Sequence, residues 1–223
     1  MATVIMEVLP LALVVTLSPL NIIPSILLLF SRRPLRTATL FLIGFLLGVG
    51  LVLVAMVVLA GAIEVGPASG HTTTVAIVKV LLGAALLVAS VAKLRARPKG
   101  DDEGRLPGWM DGLTGFSPAR SFLTGAGLGA GNPKNIAVGV AAALAISAGG
   151  LSSAQASVVV ASYIVLAGVG VALPIVVVLL LGERSGGVLE RWKAWLRRNN
   201  PTVMGVLFAV FGAVLIGQGV AGV

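Results

Sequence analysis

The sequence predicts an all-α integral membrane protein: six transmembrane helices built as two inverted three-helix repeats, with the first and fourth helices broken. Three observations lead there. The 223 residues are 57% hydrophobic and only 11% charged, against roughly 25% charged in soluble domains, and mean hydropathy is +1.07. Basic residues fall on alternate connections between apolar segments. The pattern Pro-x-Asn-Ile occurs twice, at Pro19 to Ile22 and Pro133 to Ile136, 114 residues apart.

A spanning helix needs about 20 mostly apolar residues. Six segments meet that need: Val4 to Phe30, Leu35 to Ile63, Thr72 to Leu94, Ser117 to Ser147, Ala154 to Leu181 and Thr202 to Ala221. Turn and charge residues mark the breaks: Ser31 to Pro34, Glu64 to His71, Arg95 to Phe116, Ala148 to Ser153, and Gly182 to Pro201. The expected layout is a first repeat over residues 1–95, a cytoplasmic linker over 96–116 and a second repeat over 117–223. The N-terminus reaches apolar sequence without a basic lead or a small-residue cleavage site, so it is expected to be a first span and not a removed signal.

In helix one, Ser18-Pro19-Leu20-Asn21 interrupts the apolar run and Pro24 follows. Each proline removes a backbone donor and crowds the preceding turn. Helix two carries Gly44, Gly48 and Gly50, which let helices approach closely in lipid. Helix three holds Lys79, which either snorkels to the outer face or pairs with Glu7 at the start of helix one. Helix four contains Gly125, Gly127, Gly129 and Gly131 directly before Asn132-Pro133-Lys134-Asn135. Such a glycine run is a poor continuous helix, and an unwound or re-entrant arm is expected there. Asn132 and Ser18 are placed as N-caps, with Pro133 and Pro19 as first helical residues. Kinking for packing alone is the plainer alternative for both prolines.

Beyond helix five, Val188, Leu189, Trp192, Trp195 and Leu196 recur at helical spacing, opposite Arg191, Lys193, Arg197 and Arg198. This predicts a short helix in the headgroup layer, tryptophans buried and cations on anionic lipid. The echo between halves continues at Gly48-Val49-Gly50 with Gly168-Val169-Gly170, and at Gly83-Ala84 with Gly212-Ala213. Three helices is an odd number, so homologous halves enter the membrane from opposite sides.

The charges fix an expected orientation. The connections after helices one, three and five, with their flanks, hold three, six and five cations, fourteen of the 16 in the chain. Positive charge stays inside, which puts both termini outside a cytoplasmic (inner) membrane, the chain passing through several times. The net charge of +8 is thereby a topology signal, and nucleic acid is not expected as a partner. Lys134 escapes that account. It lies 14 residues past Arg120, about 20 Å deep at 1.5 Å per residue.

Half-helix starts at mid-depth present free N–H groups and a positive dipole end. With Lys134 added, and amides from Asn21, Asn132 and Asn135, the site should favour an anionic group. Ser18, Pro19, Pro24, Gly131 and Pro133 would hold the broken geometry.

Much chemistry is excluded. Cysteine is absent, which removes disulfides, thiol nucleophiles and thiolate metal sites. The lone His71 has no second histidine, and Asp101, Asp102, Glu103 and Asp111 read as a solvated linker among basic residues. No nucleotide-binding glycine loop, no intramembrane acid pair and no carboxylate at mid-helix appears. No enzyme activity, catalytic residue, metal or cofactor is expected.

Ser-Pro-x-Asn in helix one with the basic turn Arg32-Arg33-Pro34, a glycine-rich helix two and Asn-Pro-Lys-Asn in helix four together resemble the LysE (lysine exporter) superfamily. The likeness is greatest to its GAP branch, the sulfolipid- and glycopeptidolipid-addressing proteins. That resemblance implies a membrane protein that brings glycolipids to the cell surface. Amino-acid exporters of the superfamily carry Pro-Gly-Pro-Asn, a lead absent here, and thiol-transferring relatives need cysteines this chain lacks.

The expected function is export of a glycolipid or other anionic amphiphile. The alternatives are a small-solute exporter for amino acids or ions, and a non-transporting subunit of a lipid-export machine. Expected partners are membrane lipids and a lipid or small-molecule substrate; lipid-export machinery and a homodimer are both compatible with the sequence.

Overall fold

The computed structural model describes residues 1–62, 72–96, 108–110 and 112–221. Expectations that rest on Glu64, His71, Arg97, Lys99, Asp101, Asp102, Glu103, Arg105 and Asp111 lie outside them. Among the described residues the chain is helical throughout, with no strand. Eight α-helices follow in order: α1 Ala2–Thr16, α2 Pro19–Leu28, α3 Pro34–Ala62, α4 Thr72–Arg95, α5 Pro118–Gly131, α6 Pro133–Ala148, α7 Ser153–Leu181 and α8 Ser185–Ala221.

Membrane character follows from length and exposure together. Pro34–Ala62, Ala76–Arg95 and the stretch Ser153–Val220 are long and apolar enough to cross a bilayer. The pair α1 and α2, bent by 50° at its break, adds a fourth when taken as one span. On α3 the outward positions Ile43, Leu47, Leu51, Val54 and Val58 are all exposed, a contiguous apolar stripe that water would not tolerate on a monomer. Helix α6 is apolar but only 16 residues long. The stretch Ser153–Val220 is interrupted at Gly182, whose φ of 52° lies in the left-handed region that glycine adopts freely.

Both predicted breaks are present, and they have one geometry. Ser18 caps α2 with φ −76° and ψ 114°; Asn132 caps α6 with φ −76° and ψ 116°. In each case the extended residue stands immediately before a proline that cannot donate to the preceding turn.

Helix contacts are made backbone to backbone at glycines. Gly44 and Gly48 of α3 lie against the carbonyls of Phe122 and Ala126, while Gly125 and Gly129 of α5 lie against those of Phe41 and Phe45. A Cβ at any of the four would collide with main chain. This corrects the unwound arm expected over Gly125 to Gly131: α5 is helical to Gly131. The close fit to α3 outweighs a propensity cost of about 1 kcal/mol per glycine. Gly83 of α4 and Gly212 of α8 face each other, each absent Cβ falling 2.7 and 2.8 Å from the other's carbonyl oxygen. The Ser90 hydroxyl donates to Gly205 O at 2.7 Å and fastens the same pair of helices.

Two further expectations are corrected. The break predicted from Gly182 to Pro201 is largely helical, because α8 runs unbroken from Ser185 through Pro201. Its apolar face does not lie wholly in a headgroup layer: Leu189 and Leu196 are buried and Trp192 packs on the core. Protein contact replaces lipid contact along that stripe. Trp195 is 56% exposed, and Arg191 and Arg198 are exposed with it. The linker also contributes to packing, since its short 3₁₀ turns at Gly108–Met110 and Leu113–Gly115 bury Met110 and Leu113.

Candidate functional site

The break in the first broken helix frees main-chain acceptors. Pro19 has no N–H to offer Val15, and the extended Ser18 turns its own N–H toward Val15 O at 3.4 Å, away from Val14 O. Two side chains fill the gap. Asn21 Nδ2 donates to Val15 O at 3.1 Å. Lys134 Nζ donates to Val14 O at 3.0 Å. The lysine of the second break is thereby seated on the exposed carbonyl of the first.

The second break repeats the arrangement. Asn135 Nδ2 reaches back to Leu128 O at 3.1 Å and Gly129 O at 3.4 Å. Asn21 and Asn135 each bond a carbonyl six residues upstream, in two segments 114 residues apart. The Asn132 side chain accepts from Lys134 N at 3.1 Å and so acts as the N-cap expected of it. Ser18 occupies the equivalent cap position without a side-chain cap bond.

Sequence reasoning placed Asn21, Asn132, Lys134 and Asn135 together, and the fold joins the two breaks through Lys134 and Val14. It also gives the asparagines a role the sequence did not suggest: Asn21 and Asn135 are buried, and their amide nitrogens satisfy the cut ends of helices. One polar atom on each remains without a partner: Asn21 Oδ1, Asn135 Oδ1 and, on the cap, Asn132 Nδ2. Buried polar atoms in low dielectric are costly unless something pairs with them. The site therefore holds one ammonium, one amide donor and two amide acceptors with unused capacity. Gly131 and Pro133, beside the cap, are exposed, and no atom lies within 4 Å of the Cβ position at Gly127 or Gly131.

Helix α7 closes on this region through groups that the sequence did not flag. The Thr16 hydroxyl donates to Ala12 O at 3.0 Å and contacts Leu166 O. The Ser25 hydroxyl donates to Val171 O at 2.8 Å. Gly170 admits the Thr16 carbonyl where a Cβ would stand. A threonine two residues before Ser18 and a serine after Pro24 were the available signals. Pro24 itself sits buried inside α2, which stays helical around it.

The remaining candidates lie away from the breaks. Lys79 Nζ pairs with Glu7 Oε2 at 3.3 Å, tying α4 to α1. Lys193 pairs with Glu190 at 2.7 Å, and its Nζ lies 5.4 Å from the centre of the Phe30 ring. That contact brings the basic part of α8 to the end of α2, beside Arg32 and Arg33.

Comparison with known families extends the reading: the family model described as Sap, sulfolipid-1-addressing protein, matches residues 8–221. Comparison with curated proteins and with solved structures gave no match.

Proposed function

We propose a function for this chain from the family it belongs to, that of the sulfolipid-1-addressing protein, together with the geometry of its two breaks. It is a multi-pass transporter of the cytoplasmic membrane that exports an anionic amphiphile of the glycolipid class toward the cell surface. It is not an enzyme. The observation that carries the reading is Lys134 Nζ held at 3.0 Å from Val14 O, an ammonium fixed where two helices are interrupted. An ionisable group in an apolar segment costs about 2.5–3.5 kcal/mol and is retained for function more often than for packing.

The architecture proposed with it is six spans in two inverted repeats: α1 with α2, α3 and α4 against α5 with α6, α7 and α8. Several features support that pairing. Ser18 and Asn132 share their backbone angles. Asn21 and Asn135 make the same six-residue return bond. Gly83 and Gly212, matched positions of the two halves, touch each other as residues beside a pseudo-two-fold axis would. With Arg32 and Arg33 cytoplasmic, both termini lie outside.

In this mechanism the anionic head exchanges places with the Val14 carbonyl on Lys134. Asn132 Nδ2 supplies a second donor, and Asn21 Oδ1 and Asn135 Oδ1 accept from hydroxyls of a sugar head. The acyl chains stay in the bilayer beside the open face at Gly127 and Gly131. Surface lipid extracted from cells with and without the protein tests this. The expected result is loss of one anionic glycolipid from the surface and its accumulation inside; an identical surface profile would overturn the reading.

A further inference from the structure

The turn between α2 and α3 meets the start of α5 around two adjoining cavities. One, about 650 Å³, is lined by Arg33, Arg36, Leu40, Phe122 and Leu123 among others. The second, about 560 Å³, adds Arg32, and the two share Arg33, Ser117 and Pro118. All three arginines are exposed, none forms an ion pair among the described residues, and no described carboxylate lines either space. Both α3 and α5 begin here, at Pro34 and Pro118, so two positive helix ends add to three guanidinium charges.

The wall beneath the arginines is apolar. Leu40 and Phe122 face the cavity, and Leu123 is 66% exposed. One and two turns further along the same face of α5 come Gly127 and Gly131, where no atom lies within 4 Å of the missing side chain. From Leu123 to Gly131 is about 12 Å at 1.5 Å per residue, and Asn132 follows directly.

A basic mouth over an apolar wall recognises one kind of molecule: an amphiphile whose charged end is negative. A free anion would have no use for Leu40, Phe122 and Leu123, and an apolar chain none for three arginines. Arginine forks also fit a phosphate or sulfate ester in two-point contact.

We propose that this corner binds the phosphate or sulfate headgroup of an inner-leaflet lipid, its acyl chains lying along Leu40, Phe122 and Leu123. It is the loading site from which the open face at Gly127 and Gly131 leads to the break at Asn132. The direction of travel rests on the transport reading above; the binding does not.

The purified full-length protein in detergent, titrated with dihexanoyl phosphatidylglycerol and followed by native mass spectrometry, tests it. Dihexanoyl phosphatidylcholine and inorganic phosphate serve as the other two probes. The wild type should take phosphatidylglycerol in preference to both. Arg33→Gln with Arg36→Gln should weaken that binding roughly tenfold or more, at about 1 kcal/mol for each cation near the headgroup. Ala119→Trp, which fills the cavity at an exposed position and leaves the charges in place, should weaken it as well, while Arg95→Gln, in the last turn of α4 and outside both cavities, should not. Undiminished phosphatidylglycerol binding in the double variant or in Ala119→Trp would overturn the proposal. Phosphatidylcholine bound as tightly would do the same, as would inorganic phosphate bound as tightly, the latter marking a free-anion site. Loss of export in Lys134→Met with phosphatidylglycerol still bound supports the corner independently of the central break.

Discussion

Lys134 Nζ donates to the main-chain carbonyl of Val14 across 120 residues of chain, at 3.0 Å. Proline creates the acceptor, since the break before Pro19 leaves Val14 O without its helical donor. The second broken helix supplies the cation. Each interruption thus answers a deficit in the other.

The lysine should cost stability. An ammonium at a helix centre in the bilayer is disfavoured by about 2.5–3.5 kcal/mol, whereas a hydrogen bond from a charged donor returns about 1.5–3 kcal/mol. Lys134→Met is therefore expected to leave the melting temperature of the purified protein unchanged or raised. A lowered melting temperature would show Lys134 to be structural.

The two asparagines should behave as structural partners and as equals. Asn21→Ala and Asn135→Ala each strip a donor from buried helix-end carbonyls, at a cost of about 1–3 kcal/mol. Thermal unfolding of both variants should show losses of similar size. A loss confined to one of them would argue that the breaks are not equivalent.

Glycines on α5 should divide by position. Gly125→Ala places a methyl against the Phe41 carbonyl and should destabilise the protein. Gly127→Ala meets open space and gains up to about 1 kcal/mol of helix propensity. Opposite shifts in melting temperature are the expected outcome, and equal shifts would deny the close α3 to α5 contact.

These contrasts show what the sequence carried and what it did not. The ends of α3, α4 and α7 were legible within a residue or two, because apolar runs of this length stop only at turn residues and charge. Both breaks were legible as well, since Pro-x-Asn has few other uses inside lipid. The glycine run before Asn132 misled: propensity argued for unwinding, and only the facing glycines of α3, some 80 residues upstream, explain why α5 stays helical. The continuity of α8 through Pro201 was hidden for a similar reason. Leu189, Trp192 and Leu196 find protein to pack on, and no local pattern distinguishes that from a lipid surface. At the site, the sequence singled out Asn21 and Asn135 but not the use of their amide nitrogens. Asn21 and Asn135 spend their donors on the helix ends, a use visible only once Val15 O, Leu128 O and Gly129 O are located beside them in the fold.

Orientation can be read with single cysteines, because the chain has none of its own. Gly112→Cys lies in the linker and Ala154→Cys at the start of α7. A membrane-impermeant maleimide applied to intact cells should label the second and spare the first until the membrane is opened. The reverse pattern would invert the proposed topology.

The central claim is that the ammonium at the joined breaks carries the substrate's charge. Surface lipids compared between cells making the wild type, Lys134→Met and Lys79→Met, at equal protein levels, test it most directly. The account predicts that Lys134→Met matches cells lacking the protein, while Lys79→Met, which loses only its pair with Glu7, keeps the wild-type profile. A wild-type profile in Lys134→Met would contradict it.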